Sequence, residues 1–295
     1  ANKSVGGANT ALGTSTGANL VGDFNTLTGY GAGRDVIGSN NTATGNYAGR
    51  AVTGNGNVAL GNLAGTKVTG TPVYNNATGE VVAGSVTFSA LSINNTVAIG
   101  NLALASKDNA IAIGHGAQAS GDSSISIGTG NVVSGARSGA IGDPTYITGD
   151  DSYAIGNNNK IDADSAFVLG NNVTVAAGLD GAVALGNNST VEASTIASYN
   201  PGALAVVGTA VGSNVVSVGA AGAERRITNV AAGGAPTDAV NVSQLQSLAD
   251  TVEANEIHYF SVNDNGVAGG NYDNKGAIGV NATAIGVNSL ATGEG

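Results

Sequence analysis

Between Val97 and Gly186 the apolar positions recur in short blocks: VAIG, IAIG, ISIG, GAIG, YAIG, FVLG and VALG. Their glycines are Gly100, Gly114, Gly128, Gly142, Gly156 and Gly170, fourteen residues apart, with Gly186 sixteen further on. Upstream, Gly13, Gly29, Gly45 and Gly61 keep a step of sixteen in LGTSTG, TGYGAG, TGNYAG and LGNLAG. Fourteen residues cannot hold a helix, a strand and two turns. They do hold two short strands, at about 3.3 Å per residue, and two tight turns. The period therefore predicts stacked coils rather than a layered domain.

The columns of the repeat say how each coil is built. Ile or Leu precedes every motif glycine (Ile99, Ile113, Ile127, Ile141, Ile155, Leu169, Leu185), and a small or β-branched residue precedes that. Five residues after the glycine runs a second apolar column, Ala105, Ala119, Val133, Ile147, Ile161, Val175 and Val191, whose neighbours are mostly polar. This second strand alternates, so one of its faces should be wet. The first strand does not alternate. Val97-Ala98-Ile99 and Phe167-Val168-Leu169 are apolar on both faces, and such a strand must be covered on both. A two-layer roll covers only one, so the pattern predicts partner copies of the chain.

Several segments leave the period. Residues 66–96 contain TPVYNNATGEVVAGSVTFS, in which Asn75, Asn76 and Gly79 are turn formers between β-rich flanks, which predicts a projecting hairpin. Tyr199-Asn200-Pro201-Gly202 marks a loop. From Ala223 the chain reads AERRITNVAAGGAPTDAVNVSQLQSLADTVEANE, with a break at Gly233, Gly234 and Pro236. Thr237 or Asp238 is placed to cap a helix, and Leu245, Leu248, Val252 and Asn255 follow at coiled-coil spacing. Then KGAIGVNATAIGVNSLATG resumes the β-repeat.

Composition narrows the function. The 295 residues include 48 Gly and no Cys, Met or Trp; 42% are hydrophobic and only 4% aromatic, which suits a thin, regular core. A net charge of −10 argues against a nucleic-acid track and against adsorption to anionic lipid. No apolar run approaches the roughly 20 residues that span a bilayer. The chain starts and stops inside repeat-like sequence, which reads as a fragment of something longer.

Catalytic groups are sparse. His115 and His258 stand 143 residues apart; the first follows a motif glycine and reads as an exposed turn residue, the second as structural. Eight residues after the glycine, Asp108, Asp122, Asp150 and Asp164 recur. Turn chemistry is the plainer account of them and a cation ridge the sharper one. No catalytic, cofactor or metal site is assigned.

The array of AIG blocks, TVAIG at Gly100 above all, together with RRITNVAAG…TDAVNVSQL from Arg225 to Leu245, resembles the YadA-like trimeric autotransporter adhesins. YFSVND, Tyr259 to Asp264, is similar to that family's connector from stalk to head. The resemblance implies an all-β, left-handed parallel β-roll of 14–16-residue coils in a homotrimer, followed by a neck and a short trimeric coiled coil. On that reading residues 1–222 are a head, with 16-residue coils over 1–65, a hairpin insert over 66–96, 14-residue coils over 97–194 and irregular coils over 195–222. A neck at 223–244, a stalk at 245–257, a connector at 258–275 and the start of a second head at 276–295 complete it. The resemblance further implies non-enzymatic attachment to host extracellular matrix, cells or surfaces. It implies display at a Gram-negative surface, with anchoring left to a C-terminal barrel absent from these residues. Asn255 would fall in the coiled-coil core, where asparagines of this family can ring a halide. Arg225 and Arg226, with Glu224 and Asp238, read as a neck clamp. Val73, Tyr74, Asn75 and Asn76 on the hairpin are the expected ligand contacts. The competing readings are a β-helical tailspike that binds or degrades polysaccharide, which needs clustered acids in a groove, and an ice-binding roll, which needs flat Thr-x-Thr arrays.

Overall fold

A computed structural model describes residues 4–73, 82, 85–192, 214–255 and 262–293, in two compact units, Ala1–Arg226 and Ile227–Gly295. The first unit is a parallel β-roll. One sheet runs through Thr10–Leu12, Thr26–Thr28, Thr42–Thr44 and Val58–Leu60 into Val97–Ile99, then through the motif strands to Val183–Leu185 and Val216–Ser217. A second sheet stacks Leu104–Ala105, Gln118–Ala119, Val132–Val133, Thr145–Ile147, Asn159–Ile161 and Thr174–Val175. The register follows the period: Ala112 lies opposite Ala98 and Ser126, and Leu27 opposite Ala11 and Ala43.

The glycine at the end of each first strand is a steric necessity. Gly142 has φ +135°, and a Cβ there would stand 2.0 Å from the carbonyl oxygen of Gly156 in the next coil. Consecutive coils approach through bare backbone at this corner, which only glycine permits.

The core is thin. Ala98, Ala112, Ala140, Ala154 and Ala184 point inward from the first sheet and meet Ala105, Ala119, Val133, Ile147, Ile161 and Val175 from the second; all are buried. The second column enlarges along the stack, from Ala105 to Ile147 and Ile161. Each fully buried Val or Ile there contributes about 1.5–3 kcal/mol.

The sixteen-residue coils place two extra residues between the motif glycine and the second column, so that Leu20, Val36 and Val52 come seven residues after it instead of five. Left-handed residues absorb them: Gly17, Gly33 and Gly49 at φ near +60°, then Asn19, Asp35 and Ala51 at nearly the same angle. These wider turns also stack, with Gly33 N donating to Ala48 O at 2.9 Å and Ala51 N to Arg34 O at 2.9 Å.

The wider cross-section is held by amides. Asn9, Asn25, Asn41 and Asn57 repeat four residues before the motif glycine. Asn25, Asn41 and Asn57 are buried. Each Oδ1 accepts the backbone N–H of the next member at 2.9–3.0 Å, and each Nδ2 donates to a carbonyl of the following coil, as Asn41 does to Gly54 O at 3.0 Å. Thr96 ends the run, donating through N and Oγ1 to Asn57 Oδ1. In the narrower coils the same column is Ala110, Ser124, Ser138, Ser152 and Ala166. Within the 66–96 segment, Lys67–Thr69 pairs antiparallel with Thr87–Ser89, while Leu91–Ser92 pairs parallel with Val52–Thr53 and belongs to the roll.

The second unit contains helix α1, Val242–Ala254. Asn241 caps it, in place of Thr237 or Asp238. Asn241 Oδ1 accepts Gln244 N at 3.1 Å, and Gln244 Oε1 accepts Asn241 N at 3.3 Å, a reciprocal capping box. Asp238 is spent elsewhere, its Oδ2 accepting Gly234 N and Ala235 N at 2.9 Å each. Gln244 also brackets Gly233 through N–H and C=O at 2.9 Å, and Asn241 Nδ2 reaches Val230 O at 3.1 Å, so the segment before α1 is tied to the helix entry. Further on, Ala277 bridges Ala291 in parallel, fourteen residues apart.

Candidate functional site

In a single chain the outer face of the first sheet is an apolar stripe. It starts at Val58 and Leu60 and continues through Val97, Ile99, Ile111, Ile113, Ile125 and Ile127. Ile141, Ile155 and Leu169 leave 46%, 43% and 48% of their surface exposed. Gly139 keeps the stripe even: a Cβ there would stand 2.6 Å from the Tyr153 ring, which lies over it. Above this stripe, Thr26-Leu27-Thr28 and Thr42-Ala43-Thr44 present threonines outward. Two such coils fall short of a flat Thr array, and Val58 ends the run. The helix has a matching exposed edge, with Leu245, Leu248 and Val252 at 60–62% and a shallow hollow between them and Ala249 and Glu253.

Asp108, Asp150 and Asp164 of the acidic column form a backbone ladder. Asp108 Oδ1 accepts Asn94 N, Asp150 Oδ1 accepts Ala136 N, and Asp164 Oδ1 accepts Asp150 N, each at 2.8 Å. The same ladder extends into the wider coils, where Asp23 accepts Gly7 N, Ser39 accepts Asp23 N, and Asn55 accepts Ser39 N. A second ladder follows the residue after the motif glycine, with Asn157 Oδ1 accepting Asp143 N at 2.8 Å and Asn171 Oδ1 accepting Asn157 N at 2.6 Å. His115 occupies this column, exposed. These side chains close backbone groups that a turn leaves open. Among the described residues, no three acidic or histidine side chains group to hold a metal ion. Beside the acidic column, Arg137 grips Asp151 of the next coil through Nε and Nη2, both at 2.6 Å. That fork holds the Asp151 carboxyl below the usual carboxylate range.

The expected neck residues divide their roles. Arg225 Nη2 donates to Asn187 O at 2.6 Å, and Nη1 donates to Val218 O at 2.8 Å and Ser189 Oγ at 3.1 Å. It thereby fastens the end of the roll through carbonyls and a hydroxyl. Glu224 accepts Gly222 N at 2.9 Å, and Arg226 is exposed. Asp238 serves the turn before α1. Asn255 is the C-cap of α1, with Nδ2 donating to Thr251 O at 2.7 Å. Of the hairpin contacts, Val73 is exposed, whereas Tyr74, Asn75 and Asn76 lie outside the described residues, as does His258.

Sequence columns alone missed a cluster on the wider turns. The Tyr47 ring meets Tyr30 edge-on and Phe88 tilted, both at 5.3 Å between centroids, and Arg50 stacks 3.7 Å over Phe88. Phe88 belongs to the antiparallel strand pair, so the cluster fixes the base of that excursion to the roll. The signal was present as two AGR turns, Ala32-Gly33-Arg34 and Ala48-Gly49-Arg50, each with a tyrosine shortly before it. Burial first, and then the charge of Arg34, push the Arg50 guanidinium below its ordinary value.

Comparison with known proteins agrees with this organisation. The family described as YadA head domain repeat matches residues 94–117, 119–143, 148–172 and 277–295. The family described as coiled stalk of trimeric autotransporter adhesin matches residues 226–268. No curated protein matches the chain. Among solved structures, the collagen-binding domain of the Yersinia adhesin YadA is 26% identical, over 54% of this chain and 84% of that one. Its TM-score of 0.33 is too low to carry structural detail across.

Proposed function

We propose that the chain, a YadA-like trimeric autotransporter adhesin by its head-repeat and stalk matches, attaches a bacterium to host matrix, cells or surfaces without catalysis. The observation that carries this reading is the pairing, in one chain, of a rigid repeating roll with a stalk-type helix. The roll's surface is laddered backbone and turn side chains, suited to contact over an extended face. Adhesion of this kind draws strength from several copies acting together.

Three chains are the proposed working unit. The apolar stripe of the first sheet and the exposed Leu245–Leu248–Val252 edge support it, because each leaves surface in one chain that a partner would cover. In that assembly Asn255 would take a core layer, and the exposed Arg226 would be available for pairing between chains. Display at the outer membrane follows from the family; among the described residues, no helix is long and apolar enough to cross a membrane. Nothing observed favours the tailspike alternative.

The test is binding of the purified trimer to a panel of matrix proteins and cells, with a deletion of residues 70–90 in parallel. Saturable binding to at least one matrix protein is expected, reduced in the deletion if Val73 to Asn76 make contact. Turnover of a glycan with no matrix or cell binding would overturn the reading.

A further inference from the structure

The outward columns of the first sheet change chemistry without changing course. One column runs through Thr26, Thr42, Val58, Val97 and Ile111, the other through Thr28, Thr44, Leu60, Ile99 and Ile113, each residue directly opposite the next. Neighbouring strands lie about 4.7–4.9 Å apart, so the threonines begin one spacing from the first layer of the apolar stripe. Between them, Leu27 and Ala43 point inward and are buried, and the core therefore makes no demand on what faces out. Among the described residues the hydroxyls of Thr26, Thr28, Thr42 and Thr44 have no hydrogen-bond partner. Thr66 and Thr96, elsewhere on the roll, spend theirs on Tyr47 O and Asn57 Oδ1.

A copy of the chain that covers Val58 and Leu60 carries the same sheet in the same register. Rotation about a common axis brings its own threonines to the same height as those of its neighbours. The surface that meets this face is then the same face of another copy. We infer that Thr26, Thr28, Thr42 and Thr44 form a polar continuation of the contact between chains, in which the hydroxyls bond one another or water held between them. The occupant of the face is a second copy of the chain, and the inference rests on the three-chain reading. Threonine suits the place, because its branched side chain favours the strand while its hydroxyl both donates and accepts. The contact between chains is thereby dry along the narrow coils and wet along the wide ones, with the boundary between Thr44 and Leu60.

The chain has no cysteine, so single cysteines report cleanly on this face. Thr44→Cys is compared with Ile141→Cys of the same column, and Thr42→Cys with Ile125→Cys of the other, in the whole chain treated with a short bismaleimide. Gln118→Cys, exposed on the outer face of the second sheet, measures chance linking. Both threonine positions should link chains within about threefold of the rate of their column mates and at least about tenfold faster than Gln118→Cys, since assembly raises the effective concentration of facing thiols. Linking at the control rate at either threonine position, with the column mates joined, would mean that the face is open to solvent. That result overturns the inference and leaves the three-chain reading standing. Control rates at all four positions would overturn both.

Discussion

The two halves of the roll solve one problem in two ways. In the fourteen-residue coils a short turn brings the strands close, and aliphatic side chains such as Ile147 and Ile161 fill the gap. In the sixteen-residue coils two extra residues widen the section, and buried Asn25, Asn41 and Asn57 span it by bonding backbone above and below. The narrow half relies on burial, which tolerates similar shapes. The wide half relies on stoichiometric hydrogen bonding, which does not. Polar ladders persist in the narrow half: in the same column the shorter Ser138 and Ser152 hydroxyls accept Ser152 N and Ala166 N, each at 3.0 Å, and at another corner Asn131 Oδ1 accepts Thr145 N at 2.7 Å and Asn159 Oδ1 accepts Val173 N at 3.0 Å.

Substitutions can break this contrast. The largest effect is expected at Ile161, where truncation to Ala should cost about 2–5 kcal/mol and Ile161→Val only about 1, read by urea unfolding at one protein concentration. At Asn41 the size-matched Asn41→Leu should not rescue. It orphans Asn57 N and Gly54 O and removes one of the two acceptors of Asn57 Nδ2, so a loss of about 2–4 kcal/mol is expected. A near-neutral Asn41→Leu would erase the distinction between the halves.

Smaller changes sharpen it. Gly49→Ala forces an alanine to φ +60° with its Cβ 3.1 Å from that of Ala43, and should cost about 1–2 kcal/mol. Ala51 already sits at φ +58°, so Ala51→Gly should be neutral to stabilising by roughly 0.5 kcal/mol. Opposite signs in one turn would show that the extension is set by left-handed backbone.

The smallest effect belongs to the narrow half's surface. The Asp151 carboxyl is held below its ordinary value by the Arg137 hydrogen bonds, so its contribution is fully present above the unfolded carboxylate range and lost as pH falls through the lowered folded value. Native protein should therefore lose slightly more thermal stability than Asp151→Asn on acidification below about pH 4. Salt should shrink the difference, since the pair is exposed.

Much of this architecture was legible because a stacked coil writes its geometry at a fixed interval. The motif glycines, the inward alanines and the Ala105-to-Val191 column all sit where the period puts them. The apolar face beyond Val58 was readable from a first strand that refuses to alternate. Polar ladders were harder to see. An asparagine every sixteen residues resembles turn chemistry until burial shows that Asn25, Asn41 and Asn57 point inward. The acidic column read on paper as turn chemistry, with a cation ridge as the sharper alternative; the bonds of Asp108, Asp150 and Asp164 to the preceding coil's N–H groups account for them as a ladder. The helix start was misplaced at Thr237 or Asp238 because either residue can cap, yet Asn241-x-x-Gln244 carried the fuller signal. The Arg50 cluster depends on Phe88, thirty-eight residues away, a contact that no local pattern encodes.

The most direct test of the account is sedimentation equilibrium of the native chain beside Ile141→Glu/Ile155→Glu, whose charges would lie in the covered stripe. The account predicts a native mass three times the 28.3 kDa chain, and dissociated or insoluble material for the double variant. A native monomer at every concentration, unchanged by the two glutamates, would contradict it.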